Sequence, residues 1–333
     1  MPRIDRALRS NIKLRHLQLV VTLDELRHLG RTAEFLSVTQ PAVSKMLGEV
    51  ESMLGFVLFE RSTRGSVPTA AGRAFVRFAR SALAGYERTR DEIAAEQSGL
   101  AGRTRVGSMA VTLPTLLAQA VDLLKQQASQ ATVLIEEGDL THLLPKLRLG
   151  ELDVFVGRLE PGYAAPDLVT EALYEEAMRV VVRPGHPLTR RKSPAWQDLA
   201  ELPCVLPPPW ASLRVKIEQQ FFRHGLQLPR DLVETPSFLA QVTFVQQRGA
   251  AAFMADAVAR SFEAAGLVQV LALEVPVDLP PVGLITLRER ALTPVTRQLI
   301  DCLRTAAEAH GRAPGRRTPR ARKSPASTPG AIR

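Results

Sequence analysis

Aromatic residues are scarce in this 333-residue chain, at 5% of the total. That is too few for the stacking platforms on which single-stranded nucleic acid is bound. There are two cysteines, Cys204 and Cys302, far apart and in apolar contexts. With no CxxC and no Cys/His spacing, they read as buried thiols in a reducing compartment, not as a disulfide or metal ligands. No apolar run approaches about 18 residues, so no membrane span is expected. The start, MPRIDRALRSNIKLRHLQLVV, is basic but lacks an uninterrupted apolar stretch and a small-residue cleavage site. A signal peptide is therefore not expected, and a cytoplasmic location follows. GxSxG, P-loop, HExxH and GxGxxG contexts are missing, as is any paired nucleophile and base. The chain reads as a non-enzyme that needs no cofactor.

The length suits two or three domains of about 100–200 residues each. A hydrophobic share of 45% and a charged share of 23% are those of a globular protein with a sizeable core. The net charge of +9 is unevenly spread. Residues 1–98 hold 15 Lys/Arg against 11 Asp/Glu, residues 99–310 hold 21 against 23, and residues 311–333 hold 7 against none. Polyanions are thus plausible partners for the two ends and not for the middle. The tail GRAPGRRTPRARKSPASTPGAIR is too polar to offset its ordering entropy, so 311–333 is expected to be disordered.

Three helices are expected in the head: Leu14–Leu29 with Leu17, Val20, Val21 and Leu23 buried, then a break at Gly30, then Arg31–Leu36, then the stretch TQPAVSKMLGEVESMLG. In that third helix Thr39 is an N-cap, Pro41 sits in the first turn, and Gly55 suits a left-handed C-terminal position. Val43, Leu47, Val50 and Leu54 form one apolar stripe. Gln40, Ser44, Lys45 and Gly48 lie off it. Helix, tight turn at Ser37–Val38, and a helix with a polar forward face make a helix-turn-helix. FVLFERSTRGSVPT then reads as a small β-wing with Arg61 and Arg64 near its tip. From Thr69 a helix runs to about Gln97, with a heptad seam of Phe75, Ala79, Ala82, Tyr86, Thr89 and Ile93 that asks for a partner helix. Beyond residue 103 strands and helices alternate, which indicates parallel α/β sheets in two lobes with a ligand cleft between them. Ser108 follows the first strand, where a hydroxyl and free helix N–H groups suit a carboxylate or sugar oxygen. Gly157 and Arg158 end another strand on the same side, and Arg158 is a candidate anion partner. Trp210 and Ser212 stand at a helix start in the second lobe, with Trp210 a candidate to stack on a sugar ring or simply to pack between the lobes. His142, His186 and His224 belong to no motif and read as surface or structural groups.

LRHLQLVVTL, TAEFLSVTQPAVSKMLGEVESMLGFVLFERSTRG and PTAAG closely resemble the winged helix-turn-helix of the LysR-type transcriptional regulators. The pattern through residue 310 resembles that family's two-lobed, periplasmic-binding-protein-like effector domain. GELDVFVGRLEPGY followed by LYEEAMRVVVRPGHPL is similar to the branch containing galactose-binding-protein regulators. The resemblance implies an N-terminal all-α winged helix-turn-helix domain (1–68), a linker and dimerisation helix (69–98) and an α/β effector domain (99–310). In the last, lobe 1 would be about 103–175 and 270–310, and lobe 2 about 176–269. It implies sequence-specific binding to double-stranded promoter DNA, with Thr39, Gln40, Pro41, Ser44, Lys45, Arg61 and Arg64 as contacts. It also implies a small-molecule effector, an organic acid or a sugar, held by Ser108, Met109, Gly157, Arg158, Trp210 and Ser212. A homodimer or homotetramer acting on RNA polymerase, with no membrane partner, completes the expectation. The alternative is an architectural protein that binds DNA without sequence preference through its basic tail.

Overall fold

The head is organised around one apolar cluster to which the helices over Leu14–Leu26, Leu29–Phe35 and Gln40–Leu54 and the start of the helix over Ala70–Ser98 contribute. A computed structural model describes residues 2–62, 65–98 and 102–311. Helix α1 (Pro2–Arg6) runs into a wide helical turn at Ala7–Asn11 and is followed by α2 (Leu14–Leu26), α3 (Leu29–Phe35) and α4 (Gln40–Leu54). Leu17, Leu19, Val20 and Leu23 of α2 meet Val43, Leu47, Val50 and Leu54 of α4. All eight are buried, at about 1.5–3 kcal/mol for each large side chain removed from water. The α2–α3 break is not at Gly30, as the sequence suggests. Arg27 takes the left-handed conformation (φ +53°), and His28 caps α3, its Nδ1 accepting from the N–H of Gly30 (3.1 Å) and of Arg31 (3.3 Å). Gly30 lies inside the helix, and a Cβ there would come within 3.1 Å of the capping imidazole.

Helix α4 follows its sequence signals. Thr39 Oγ1 accepts from the Ala42 N–H at 3.4 Å, and Gly55 closes the helix at φ +88°. The wing pairs β1 (Phe59–Ser62) with β2 (Gly65–Pro68), antiparallel, from Phe59 opposite Pro68 to Ser62 opposite Gly65. Helix α5 (Ala70–Ser98) passes so close to the base of the wing that a Cβ on Gly72 would lie 1.9 Å from the Leu58 carbonyl oxygen. Its seam divides: Phe75 and Ala79 are buried in the head, whereas Tyr86 and Ile93 are exposed.

The first lobe contains β3 (Arg103–Ser108), α6 (Ala118–Gln127), β4 (Thr132–Glu137), α7 (Leu140–Leu149), β5 (Val154–Arg158) and β6 (Leu168–Tyr174). The second contains β7 (Met178–Val182), α8 (Trp196–Ala200), β8 (Cys204–Leu206), α9 (Ser212–Arg223), β9 (Leu232–Glu234), α10 (Phe238–Arg248), β10 (Ala251–Ala255), α11 (Asp256–Ala264) and β11 (Gln269–Val270). The chain then returns to the first with β12 (Val282–Leu287) and α12 (Pro294–Gly311). The sheet orders are β4-β3-β5-β12-β6 and β11-β7-β10-β8-β9.

Two expectations change here. The sheets are mixed, not parallel: β12 runs antiparallel to β5 and β6, and β7 antiparallel to β10 and β11. The chain crosses between lobes twice, and the first strand after each crossing, β7 and then β12, runs against the βαβ strands of its sheet. The second lobe also extends past residue 269. Leu271, Leu273, Val275 and Val277 pack with Met178, Trp196 and Phe253 in its core, so the return to the first lobe is made by β12. The helices α9, α10 and α11 fit the expected alternation of strands and helices, whereas β6, β8, β11 and α8 carry no clear sequence signal.

Ion pairs hold the linker helix against the first lobe. Arg80 reaches Asp24 (3.4 Å) and Glu25 (3.0 Å) of α2 and Glu151 (3.2 Å) after α7. Arg88 reaches Asp153 at 3.5 Å, and Arg105 of β3 reaches Glu87 (2.9 Å) and Asp91 (3.1 Å).

Candidate nucleic-acid interface and effector cleft

The polar side of α4 is presented beside the wing because one carboxylate joins the two. Glu51 Oε1 accepts from the N–H of Leu58 (2.7 Å) and of Phe59 (3.2 Å), and its other oxygen lies 4.0 Å from Arg61. Arg61 Nη1 in turn donates to Ser44 Oγ at 2.8 Å. Two residues expected at a DNA surface, 17 positions apart in sequence, are therefore in contact. Thr39, Gln40, Pro41 and Lys45 are exposed on the same N-terminal half of α4. Gln40 Oε1 lies 3.7 Å from where a Cβ on Gly30 would stand, so the amide reaches over the start of α3. Gly48 faces open space, and a Cβ there would meet nothing within 4 Å. Arg64 lies outside the described residues, as do 312–333 of the basic tail.

Glu51 is the residue that sequence reading missed. It did carry a signal: a carboxylate in the last turn of a helix opposes the helix dipole and invites a second role.

In the two-lobed half, Ser108, Met109, Gly157 and Arg158 come together at the C-terminal ends of β3 and β5. Their chemistry differs from expectation. Ser108 is fully buried, with its Oγ 2.7 Å from Thr112 Oγ1, so the hydroxyl is satisfied inside the lobe. Met109 lies over Gly157, whose Cβ, if present, would be 2.7 Å from the Met109 Cγ. The Met109 sulfur accepts from the Arg158 N–H at 3.3 Å.

Arg158 is not a free cation. Its Nη2 donates to Glu176 Oε1 (2.9 Å) and its Nη1 to the Pro280 carbonyl (2.9 Å). Glu176 belongs to the first crossover and Pro280 to the second, and Glu176 Oε2 also accepts from the N–H of Ala257 in α11 (3.1 Å). One ion pair thus joins a strand end of lobe 1, both crossovers and a helix of lobe 2. Its carboxylate has no exposed side-chain surface.

Trp210 is 74% exposed, so no stacking pocket encloses it. The buried tryptophan is Trp196, stacked on His224 with centroids 5.0 Å apart. Ser212 at the start of α9 does face the other lobe, donating to Glu160 Oε1 at 3.3 Å. Arg214, in the first turn of the same helix, is bonded to Glu218 and Glu234, both at 2.6 Å. An open groove of about 670 Å³ lies along Ala177–Arg179 and Ala272–Asp278, the stretches that adjoin Glu176 and Pro280, and none of the expected effector residues lines it. Among the described residues no cluster of His, Cys, Asp and Glu is arranged to hold a metal, and no helix is long and apolar enough to cross a membrane.

A winged helix-turn-helix whose long helix leads to two α/β lobes defines a regulator of the DNA-binding kind. Comparison with known proteins gives its family. The bacterial regulatory helix-turn-helix pattern of the lysR family matches residues 14–73, and the LysR substrate binding domain matches residues 97–308. The transcriptional regulator GbpR of Azospirillum brasilense is 31% identical over 304 residues, which cover 90% of this chain and 88% of that one. GalR of Pseudomonas putida is 31% identical over 291 residues, covering 87% and 73%. The solved structure of CbnR, a LysR family transcriptional regulator, shares the fold with a TM-score of 0.67 at 20% identity, over 89% of this chain and 99% of that one. A full-length OxyR variant from Pseudomonas aeruginosa gives 0.61 at 26%, over 90% and 95%. The chain belongs to the LysR family of helix-turn-helix transcriptional regulators.

Proposed function

We propose that this regulator reads promoter DNA with the N-terminal half of α4 and grips the backbone with its wing, and that a small molecule between its lobes controls the outcome. The contact between Ser44 and Arg61 carries this reading. In the free protein Arg61 occupies the Ser44 hydroxyl. On DNA a phosphate is the stronger acceptor for the guanidinium, which frees Ser44 for a base edge or phosphate. Gln40 can pair through its amide donor and acceptor with adenine, and Lys45 can reach guanine or phosphate. Full-length CbnR has been solved complexed with its target DNA, which supports the same docking for a chain of this fold.

The exposed half of the α5 seam, Tyr86 to Ile93, supports pairing with a second copy into a homodimer, and from dimers a homotetramer. Paired heads would address half-sites about 34–36 Å or a multiple apart. The effector, an organic acid or sugar, would sit at the lobe junction, where Ser212 meets Glu160 and where Met109 packs against the apolar clusters of both lobes. Its control over RNA polymerase requires different affinities for two arrangements of the lobes. Footprinting of genomic fragments tests the proposal. The wild-type protein should protect one or a few promoters, and Gln40→Ala with Ser44→Ala should abolish that preference while weak binding to any duplex persists. Protection unchanged in the double variant overturns the reading. If deleting residues 312–333 removed all binding, the architectural alternative would be favoured instead.

A further inference from the structure

Residues 2–12 precede the segment matched by the helix-turn-helix family, which begins at 14, and none of the roles above involves them. This stretch carries Arg3, Arg6 and Arg9 against a single acid, Asp5. It is folded onto the head. The Ile12 N–H bonds back to the Ala7 carbonyl at 2.9 Å, Ala7 is 1% exposed in the head core, and Ile12 packs against the same cluster. Both α1 and the turn after it pack on α4, the helix that presents the DNA-reading residues.

Arg6 and Arg9 are exposed, three apart along one helical run, and neither pairs with a carboxylate among the described residues. Lys13 and Arg15 extend the exposed positive charge toward α2. A cluster of unneutralised guanidinium groups, anchored by Ala7 beside the recognition helix, matches the closely spaced charges of a duplex backbone. Because the arm is already packed, binding orders little beyond the two side chains. We propose that Arg6 and Arg9 form a second phosphate-binding site, outside the helix-turn-helix proper, that grips the DNA backbone next to the bases read by α4. Phosphate contacts position a protein without reading sequence, so the arm adds affinity and not specificity. This rests on the DNA-binding reading of α4.

The test uses the full chain and a fluorescent random-sequence duplex, titrated across a range of KCl concentrations. Each phosphate contact contributes about 0.9 to the slope of log affinity against log salt, so R6Q/R9Q should shallow the slope by about 2. R6K/R9K, which keeps both charges, should preserve it. The Gln variant should weaken binding to specific and random fragments by the same factor. A slope equal to wild type in R6Q/R9Q, with helical content unchanged by circular dichroism, overturns the proposal. So does a loss of slope in R6K/R9K, which would show that the arm acts through packing. Absence of salt-dependent duplex binding by the wild type would overturn the DNA-binding reading itself. Loss of promoter preference in Q40A with the arm variants unaffected would overturn only the arm.

Discussion

Replacing Arg158 by methionine should cost the protein about 3–5 kcal/mol, because it strands the Glu176 carboxylate in the interior without its cation. The magnitude follows from the surroundings. Glu176 has no exposed side-chain surface, Arg158 is 10% exposed at its side chain, and the two meet at 2.9 Å. After the change, Glu176 loses the Arg158 guanidinium while keeping the N–H of Ala257, and the Pro280 carbonyl loses the Arg158 donor as well. Glu176→Gln removes the charge and keeps an acceptor in place, so its cost should be smaller, about 1–3 kcal/mol. Arg158→Met combined with Glu176→Leu should recover much of the single-variant loss, since a buried pair exchanged for apolar groups is often near neutral. Recovery will be incomplete because the Ala257 N–H is then orphaned. Urea unfolding of the full chain, followed by the fluorescence of the buried Trp196, gives the three differences and their coupling. A loss below about 1 kcal/mol for Arg158→Met, with no coupling to Glu176, would refute the structural assignment and return Arg158 to the role of a free anion-binding group.

Three further outcomes are expected. Gly72→Ala places a methyl group 1.9 Å from the Leu58 carbonyl, so it should destabilise the head at or above the upper end of the usual overpacking cost of about 1–3 kcal/mol, read by thermal unfolding. Burial, with a smaller contribution from Asp231, pushes the Cys204 thiol up to about 12, so a thiol reagent at neutral pH should label Cys204 only as the protein unfolds. Labelling of the native protein at the rate of a free thiol would contradict this. The hydrogen bonds from Arg304 hold the Glu171 carboxyl below the ordinary glutamate range. The unfolded chain therefore binds the proton more readily there, and this pair's contribution is present above the ordinary glutamate pKa and lost as pH falls through the lower folded value. Arg304→Gln should accordingly lessen stability at neutral pH and narrow the difference from wild type in acid, as urea unfolding at the two pH values would show.

The head was nearly complete in the sequence because its signals are local. The Thr39 cap, the Val43–Leu54 stripe and the Gly55 stop all act within a turn or two of helix, where spacing alone decides which side is buried. Even there Gly30 misled. The true break comes from Arg27 and a capping imidazole at His28, and no propensity marks a histidine for that position. In the two-lobed half the alternation of strands and long helices was legible, while β8, three residues long, was too short for any period to show.

Site chemistry divides in the same way. That residues near 108, 158 and 212 lie at ends of elements belonging to a two-lobed unit could be read along the chain. Which of their polar atoms remain available could not. Arg158 is consumed by Glu176, 18 residues away in a crossover, and Ser108 turns inward to Thr112. The amino-acid order determined the helices of the head, the polar face of α4 and the alternation of two lobes, since each depends on neighbours within a few residues. The packed molecule alone decided the antiparallel strands, the fastening of the wing by Glu51 and the pairing of each buried charge. Those depend on which distant side chains come within about 3 Å of one another, where hydrogen bonds form, and sequence spacing carries no record of that distance.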